Sequence, residues 1–207
     1  MTAHAAYVFD LDGVVRDFGA GSVDGGIETE LGLPAGSVAA TAFRDDLVGP
    51  TITGLQSFEQ WFAAICSELE QVAADPGRVR SAMQRWRAHR GTPIPQTVAR
   101  LTSLRAEGRR TYAFTNGTDH VPAELDLLGV SELFDAVLNS ADFGVAKPDP
   151  RAYAAAHRTI ERGLGRIMAA HEVWFTDDQV ANVEAARDFG WHAELFVRPT
   201  SIRRNPS

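Results

Sequence analysis

With 207 residues, 44% of them hydrophobic and 23% charged, the chain has an ordinary globular composition and enough length for one sizeable core plus a smaller subdomain. Lys and Arg number 20 against 27 Asp and Glu, and the resulting net charge of −7 argues against a general nucleic-acid or anionic-membrane surface. The single cysteine, Cys66, excludes an intramolecular disulfide, and its place in an apolar helical pattern reads as a buried, inert thiol.

The first predicted element is an apolar strand over Ala5 to Asp10, running into Asp10-Leu11-Asp12-Gly13. Strand side chains alternate faces, so Asp10 and Asp12 point the same way if the strand continues through both. Two carboxylates that close need a cation. Mg2+, a hard ion that uses one or two carboxylates and keeps several waters, suits an open phosphate site. Gly13 permits a sharp turn and a close approach of backbone to ligand.

From about Arg16 to Gly91 the pattern is helical, with helices expected over Val38 to Leu47, Ser57 to Val72 and Pro76 to Arg90. Phe58, Trp61, Phe62, Ile65 and Leu69 are spaced for one buried stripe, read as the core of this segment itself. Gly19-Ala20-Gly21-Ser22 and Gly25-Gly26 mark a flexible connection into it. The loop Leu47 to Gly54, with its glycines and threonines, is the expected place of substrate contact. Trp86 to Arg90 reads as a basic helix end that opposes the helix dipole.

After the Thr92-Pro93-Ile94-Pro95 breaker, helices and strands alternate. Helices are expected over Gln96 to Glu107, Asp119 to Leu128, Pro150 to Glu161 and Gln179 to Phe189. Strands are expected over Thr111 to Thr115, Ala136 to Asn139, Val173 to Asp177 and His192 to Val197. This predicts an α/β fold with a doubly wound, mostly parallel sheet and ligands at the carboxyl ends of the strands. Thr115 and Asn116 place a hydroxyl and an amide at one such end, both able to donate to a phosphate oxygen. Lys147 falls just before a helix with Asp149 as N-cap and Pro150 as first residue, where its ammonium can act as a point charge on a phosphate or carboxylate. Asp177-Asp178 is a second pair of acids at a strand end. Of the six histidines only His120 is expected near the site, and none shows a close metal-ligand spacing. The tail from Pro199 to Ser207 is expected to fray.

In this order, Asp10-Leu11-Asp12-Gly13, Thr115-Asn116, Lys147-Pro148 and Asp177-Asp178 resemble the four motifs of the haloacid dehalogenase superfamily. The resemblance runs from Tyr7 to about Val197. Within the superfamily the chain is most similar to small-capped phosphatases related to the N-terminal domain of soluble epoxide hydrolase and to bacterial glucose-1-phosphate phosphatases. Phe175 to Gly190 and Leu31-Gly32-Leu33-Pro34 carry much of that closer likeness. The resemblance implies a Rossmann-like core over residues 1–15 and 92–207, with a small helical cap over 16–91 inserted after the first strand. It implies Asp10 as nucleophile and Asp12 as general acid and base, with Thr115, Asn116 and Lys147 on the phosphoryl oxygens. Mg2+ is then expected on the Asp10 carboxylate, the Asp12 backbone carbonyl and Asp178, with Asp177 acting through a metal-bound water and Asn182 steadying the acidic loop.

Asp12 separates two reactions, since the superfamily's dehalogenases lack the second aspartate. The expected function is therefore a magnesium-dependent phosphatase acting on a small-molecule phosphomonoester through an aspartyl phosphate. The alternatives are a haloacid dehalogenase-type hydrolase, a sugar-phosphate mutase, and a catalytically silent binding module. A phospho-accepting receiver is rejected by motif order, because there the lysine follows all the acids. Sugar phosphates, nucleotides, flavin mononucleotide and other small organic phosphates all remain allowed as substrates. The expected setting is cytoplasmic, as monomer or homodimer, with no nucleic-acid or membrane partner: there is no basic start followed by an apolar run, nor any stretch apolar enough to span a bilayer.

Overall fold

The computed structural model describes residues 4–19 and 23–198. In chain order the elements are β1 (Ala6–Phe9), β2 (Arg16–Asp17), α1 (Asp24–Leu31), α2 (Ser37–Ala42), α3 (Asp45–Ile52), α4 (Phe58–Glu70), α5 (Val79–Ala88), β3 (Thr92–Pro93), α6 (Pro95–Ala106), β4 (Arg110–Thr115), α7 (Val121–Leu128), β5 (Ala136–Asn139), α8 (Ser140–Phe143), α9 (Pro150–Leu164), β6 (Val173–Asp177), α10 (Val180–Phe189) and β7 (His192–Leu195).

Five strands form one sheet in the order β5-β4-β1-β6-β7, and every pairing is parallel. Both faces are covered. Ala6, Val8, Tyr112, Phe114, Val173 and Phe175 pack on one side against Tyr153, Ile160, Val183 and Trp191. Phe9 and Ala113 face the other way, against Leu101, Leu104, Val121 and Leu125. The period-two alternation in β1 and β4 thus buries both sets of side chains, as a doubly covered parallel sheet requires. β1 is central, so its carboxyl end opens between those of β4 and β6.

The helices α1 to α5 follow a short antiparallel neck in which Arg16 pairs with Pro93 and Asp17 with Thr92. They enclose a third apolar cluster of Ile27, Leu31, Val38, Phe58, Trp61, Phe62, Ile65, Leu69 and Met83. Cys66 lies within it, fully buried, and burial pushes its thiol pKa up. Helix α4 starts at a capping box, Ser57 accepting from Gln60 N–H and the Gln60 side chain from Ser57 N–H.

This segment departs from the expected pattern at three places. Gly25-Gly26 lie within α1 rather than in a flexible connection, because buried Ile27 and Leu31 anchor the helix and outweigh the cost of glycine. The helix expected over Val38 to Leu47 is two helices, broken at Phe43-Arg44, where Arg44 takes extended backbone. The expected loop from Leu47 to Gly54 is largely α3, with Pro50 inside it. Gln56 supports this turn by donating from its amide to the Leu47 carbonyl and the Thr51 hydroxyl, each at 2.7 Å. Residues 20–22 of the expected glycine-rich connection and the tail from 199 onward lie outside the described residues. No helix among the described residues is long and apolar enough to cross a membrane.

Candidate active site

β1 ends at Phe9, so Asp10 and Asp12 do not continue one strand. Asp10 N–H still donates to Thr176 carbonyl at 2.8 Å, which holds Asp10 in line with the sheet edge, 7% exposed. The chain then turns: Val15 and Arg16 N–H groups both donate to the Leu11 carbonyl, and Gly13 N–H donates to Arg16 carbonyl. Gly13 adopts φ 90°, and a Cβ built there would lie 2.2 Å from Asp178 Oδ2. The glycine is thus required twice, by its backbone and by the close approach of the acid.

Lys147 joins three motifs. Its ammonium donates to Asp10 Oδ1 at 2.6 Å, Asp177 Oδ2 at 2.7 Å and the Phe114 carbonyl at 2.8 Å, with the lysine side chain 1% exposed. Burial works against the charged lysine, but the two carboxylates outweigh it and hold its pKa above the usual range. Burial pushes Asp10 up to about 7, with Asp177 adding to the rise and Lys147 opposing it. The lysine reaches this position because the Asn116 carboxamide grips its backbone: Asn116 Oδ1 accepts from Lys147 N–H and Nδ2 donates to Lys147 carbonyl, each at 2.8 Å. The following Lys147–Pro148 peptide is cis. Asp149 caps α9 through Arg151 N–H, as its place before Pro150 predicts, and Arg151 draws its pKa down to about 2.

Asp177 is fully buried and its oxygens receive Lys147, Asn182 Nδ2 at 3.1 and 3.0 Å, and Gln179 N–H at 2.8 Å. Asn182 therefore fixes the acidic loop from the first turn of α10. Asp10, Asp177 and Asp178 each offer a carboxylate oxygen within 4.8 Å of the others, a hard-oxygen set that fits Mg2+, and the space kept open by Gly13 lies beside Asp178. Thr115 is buried at the end of β4, and its hydroxyl makes no hydrogen bond among the described residues.

Asp12 is half exposed and held by Arg16, whose Nε donates to Oδ1 at 2.5 Å while Nη1 donates to Glu124 at 2.7 Å. This geometry brings four acids, Asp10, Asp12, Asp177 and Asp178, a charged donor and a hydroxyl to the carboxyl edge of one parallel sheet.

Residues 4–190 match the family model described as haloacid dehalogenase-like hydrolase. The chain belongs to this family. Among its relatives, Phosphatase MT3486 of Mycobacterium tuberculosis (strain CDC 1551 / Oshkosh) is 29% identical over 96% of this chain and 90% of the relative. Bifunctional epoxide hydrolase 2 of Sus scrofa is 29% identical over 94% of this chain, and Acyl-CoA dehydrogenase family member 10 of Mus musculus 26% identical over 95%. The chain spans only 36% and 18% of those two longer proteins. In fold it is similar to the HAD family enzyme BT-2542 of Bacteroides thetaiotaomicron, with TM-score 0.71, 17% identity and 94% of both chains covered. It is likewise similar to the L-2-haloacid dehalogenase of Xanthobacter autotrophicus, with TM-score 0.64, 22% identity and coverage of 96% of this chain and 79% of that one.

Sequence reasoning about this haloacid dehalogenase-like hydrolase missed Arg16 and Glu124. Arg16 stands four residues after Asp12, a spacing that hints at an ion pair, but Glu124 is distant in sequence and only the fold joins them. Asn139 was read only as the end of a strand. Its Nδ2 donates to the Thr118 carbonyl at 2.8 Å and so braces the loop after β4.

The region facing the sheet edge extends two expectations, the buried aromatic stripe and the basic end of α5, and changes a third, the hydroxylic contact from Leu47 to Gly54. A cavity of about 350 Å³ lies between the helical segment and the core and reaches Asp12, Asn116 and Thr118. Phe58 and Trp61 line it, so the aromatic stripe is more than internal packing, whereas Ile65 and Leu69 remain core. From α3 it is Val48 and Ile52 that face the cavity; Thr51 is buried and Thr53 donates to the Gly49 carbonyl, so the contact offered there is apolar rather than hydroxylic. Trp86, Arg87 and His89 line the cavity too, which gives the end of α5 a place in the site beyond its dipole. His120 stacks on Phe58 with centroids 4.2 Å apart.

Proposed function

We propose that the chain is a magnesium-dependent phosphatase that hydrolyses a small-molecule phosphomonoester through an aspartyl phosphate. The observation that carries this reading is the pairing of a buried Asp10, engaged by Lys147, with a second and more exposed acid, Asp12, at the same sheet edge. Lys147 occupies Asp10 Oδ1 and leaves the other oxygen to attack phosphorus. As the new phosphorus–oxygen bond forms, the ester bond breaks and the leaving alkoxide takes a proton from Asp12. Asp12, now a carboxylate, then removes a proton from water. The hydroxide attacks phosphorus, and inorganic phosphate leaves with Asp10 restored.

Thr115 Oγ1 donates to the phosphoryl oxygens, where transition-state charge spreads and fixed donors contribute most, and Lys147, whose three N–H groups are engaged, supplies fixed positive charge beside them. Asn116 positions Lys147 through that residue's backbone, and Arg16 positions Asp12. Asp10, Asp178 and the Asp12 backbone carbonyl would hold Mg2+, with Asp177 behind them; when bound, the ion supplies positive charge to the phosphoryl group. The similar BT-2542 fold has been solved in complex with magnesium and inorganic phosphate, which supports this choice of ion. We further propose residues 16–91 as a cap over a core formed by 1–15 and 92–207. Two contacts support this division: Phe58 N–H donates to Asp119 at 2.7 Å, and Gly54 packs against the Ala141 carbonyl.

The test is phosphate release from a panel of phosphomonoesters with Mg2+, against an EDTA control and the Asp10→Asn protein, with chloride release from 2-chloropropionate measured alongside. Mg2+-dependent phosphate release lost in Asp10→Asn is the expected result. Chloride release without phosphate release would overturn the reading in favour of a dehalogenase.

A further inference from the structure

The cavity that begins at Asp12 is walled by aromatic rings drawn from separate parts of the chain: Phe18 after the neck, Phe43 between α2 and α3, Phe58 and Trp61 of α4, and Trp86 of α5. These rings meet nearly edge to face. Phe58 and Trp61 lie 5.8 Å apart at 75°, Phe43 and Trp61 6.1 Å at 61°, and Trp61 and Trp86 5.5 Å at 68°. Such an array lines the cavity with aromatic surface, surroundings that an aromatic quadrupole fits and that an alkyl chain only fills.

Of the charged groups on the wall, Arg16 binds Asp12 and Glu124, and Arg87, set against the rings of Phe58 and Phe62, binds Glu59; Asp24 lines the cavity as well. The neutral polar lining is sparse: Asn116, Gly117 and Thr118 at the phosphate end, and His89, whose ring meets that of Phe18. A polyhydroxylated leaving group would lose water without gaining partners over most of its surface. At about 350 Å³ the cavity is near the small end of ligand pockets and has room for one or two rings. Phe43 and Phe18 stay 61% and 37% exposed, so accessible aromatic surface remains at the mouth.

We propose that the substrate is the monophosphate ester of an arylalkyl alcohol or phenol, its flat ring seated among Phe43, Phe58, Trp61 and Trp86. This inference rests on the phosphatase reading and adds the leaving-group class. Three primary-alkyl esters of similar intrinsic reactivity test it: 2-phenylethyl phosphate, hexyl phosphate and glucose 6-phosphate. kcat/KM for 2-phenylethyl phosphate is expected to exceed that for hexyl phosphate about fivefold to tenfold, the range of an aromatic pairing beyond burial alone. The ratio should fall severalfold in Phe43→Ala, a substitution at an exposed site that the fold tolerates. Without turnover, 2-phenylethanol should saturably quench the emission of Trp61 and Trp86, and more weakly in Phe43→Ala.

Equal or faster hydrolysis of hexyl phosphate or glucose 6-phosphate would overturn the aromatic assignment and leave the phosphatase reading intact. Absence of quenching by 2-phenylethanol would likewise overturn it. No hydrolysis of any of the three esters would overturn both.

Discussion

Replacing Lys147 by methionine keeps much of the side chain's length and removes the charge between two buried carboxylates. The ammonium lies 2.6 Å from Asp10 and 2.7 Å from Asp177, whose side chains are 10% and 0% exposed. At that separation and an effective dielectric near 20, each attraction is about 6 kcal/mol, most of it offset by desolvation of the three charges. Removing one partner is the costly change, because the carboxylates stay buried without their counter-charge; about 3–5 kcal/mol of stability should be lost. For a chain of this size about 1 kcal/mol corresponds to roughly 2–4 °C, so Tm of the metal-free protein should fall by about 6–20 °C. Asp10→Asn in the Lys147→Met background removes an acid that, already at about 7 beside the lysine, is driven further toward protonation without it, and should recover about 0.5–3 kcal/mol, measured as the coupling in a double-mutant cycle. Mg2+ should also raise Tm more in Lys147→Met than in the native protein, since it brings positive charge to the same acids. Thermal unfolding followed by circular dichroism, with EDTA or Mg2+, reads all three. A Lys147→Met protein as stable as the native one, or a strictly additive cycle, would refute the reasoning.

Asp12→Asn should lower kcat for unactivated alkyl phosphates about 10²- to 10⁴-fold and affect 4-nitrophenyl phosphate less, because that leaving group needs little protonation; steady-state kinetics on both esters compares them. Gly13→Ala should weaken Mg2+ binding, measured by calorimetric titration, since the added Cβ meets Asp178 Oδ2 at 2.2 Å. Glu172, drawn down to about 2 by Arg166 and by Ala169 N–H, contributes stability present above its ordinary pKa near 4.5 and lost as pH falls toward 2. The Tm difference between native protein and Glu172→Gln should therefore shrink on acidification from neutral pH, and a difference that widens would contradict the sign.

The sheet and its catalytic edge were legible because they obey local rules. β1, β4 and β6 are short apolar runs that stop at polar groups, and Asp149-Pro150 marks the start of α9 by cap chemistry alone. The misread parts depend on contacts that no window of sequence contains. Gly25-Gly26 join a helix because Ile27 and Leu31 find a core contributed by α4 and α5. Pro50 is accepted in α3 because Gln56 folds back on it. In sequence Arg16 marks only the start of the inserted segment, and its hold on both Asp12 and Glu124 exists only once α7 is packed beside the first turn. Asn116 is expected as a phosphate donor, and its grip on the Lys147 backbone, which uses one of its two amide N–H groups, is visible only in the fold.

The neck formed by Arg16-Asp17 and Thr92-Pro93 makes the fold modular. The chain leaves the sheet layer and returns to it within one strand spacing, about 5 Å, so an insert of any length or architecture need satisfy only that end-to-end distance. β1 is complete before the departure and β4 begins after the return, which leaves sheet register independent of what is inserted. One sheet edge can thus be faced by many different inserts, exchanged as whole grafts rather than rebuilt residue by residue. The practical junction lies after Arg16, since a graft that removed this arginine would also release Asp12.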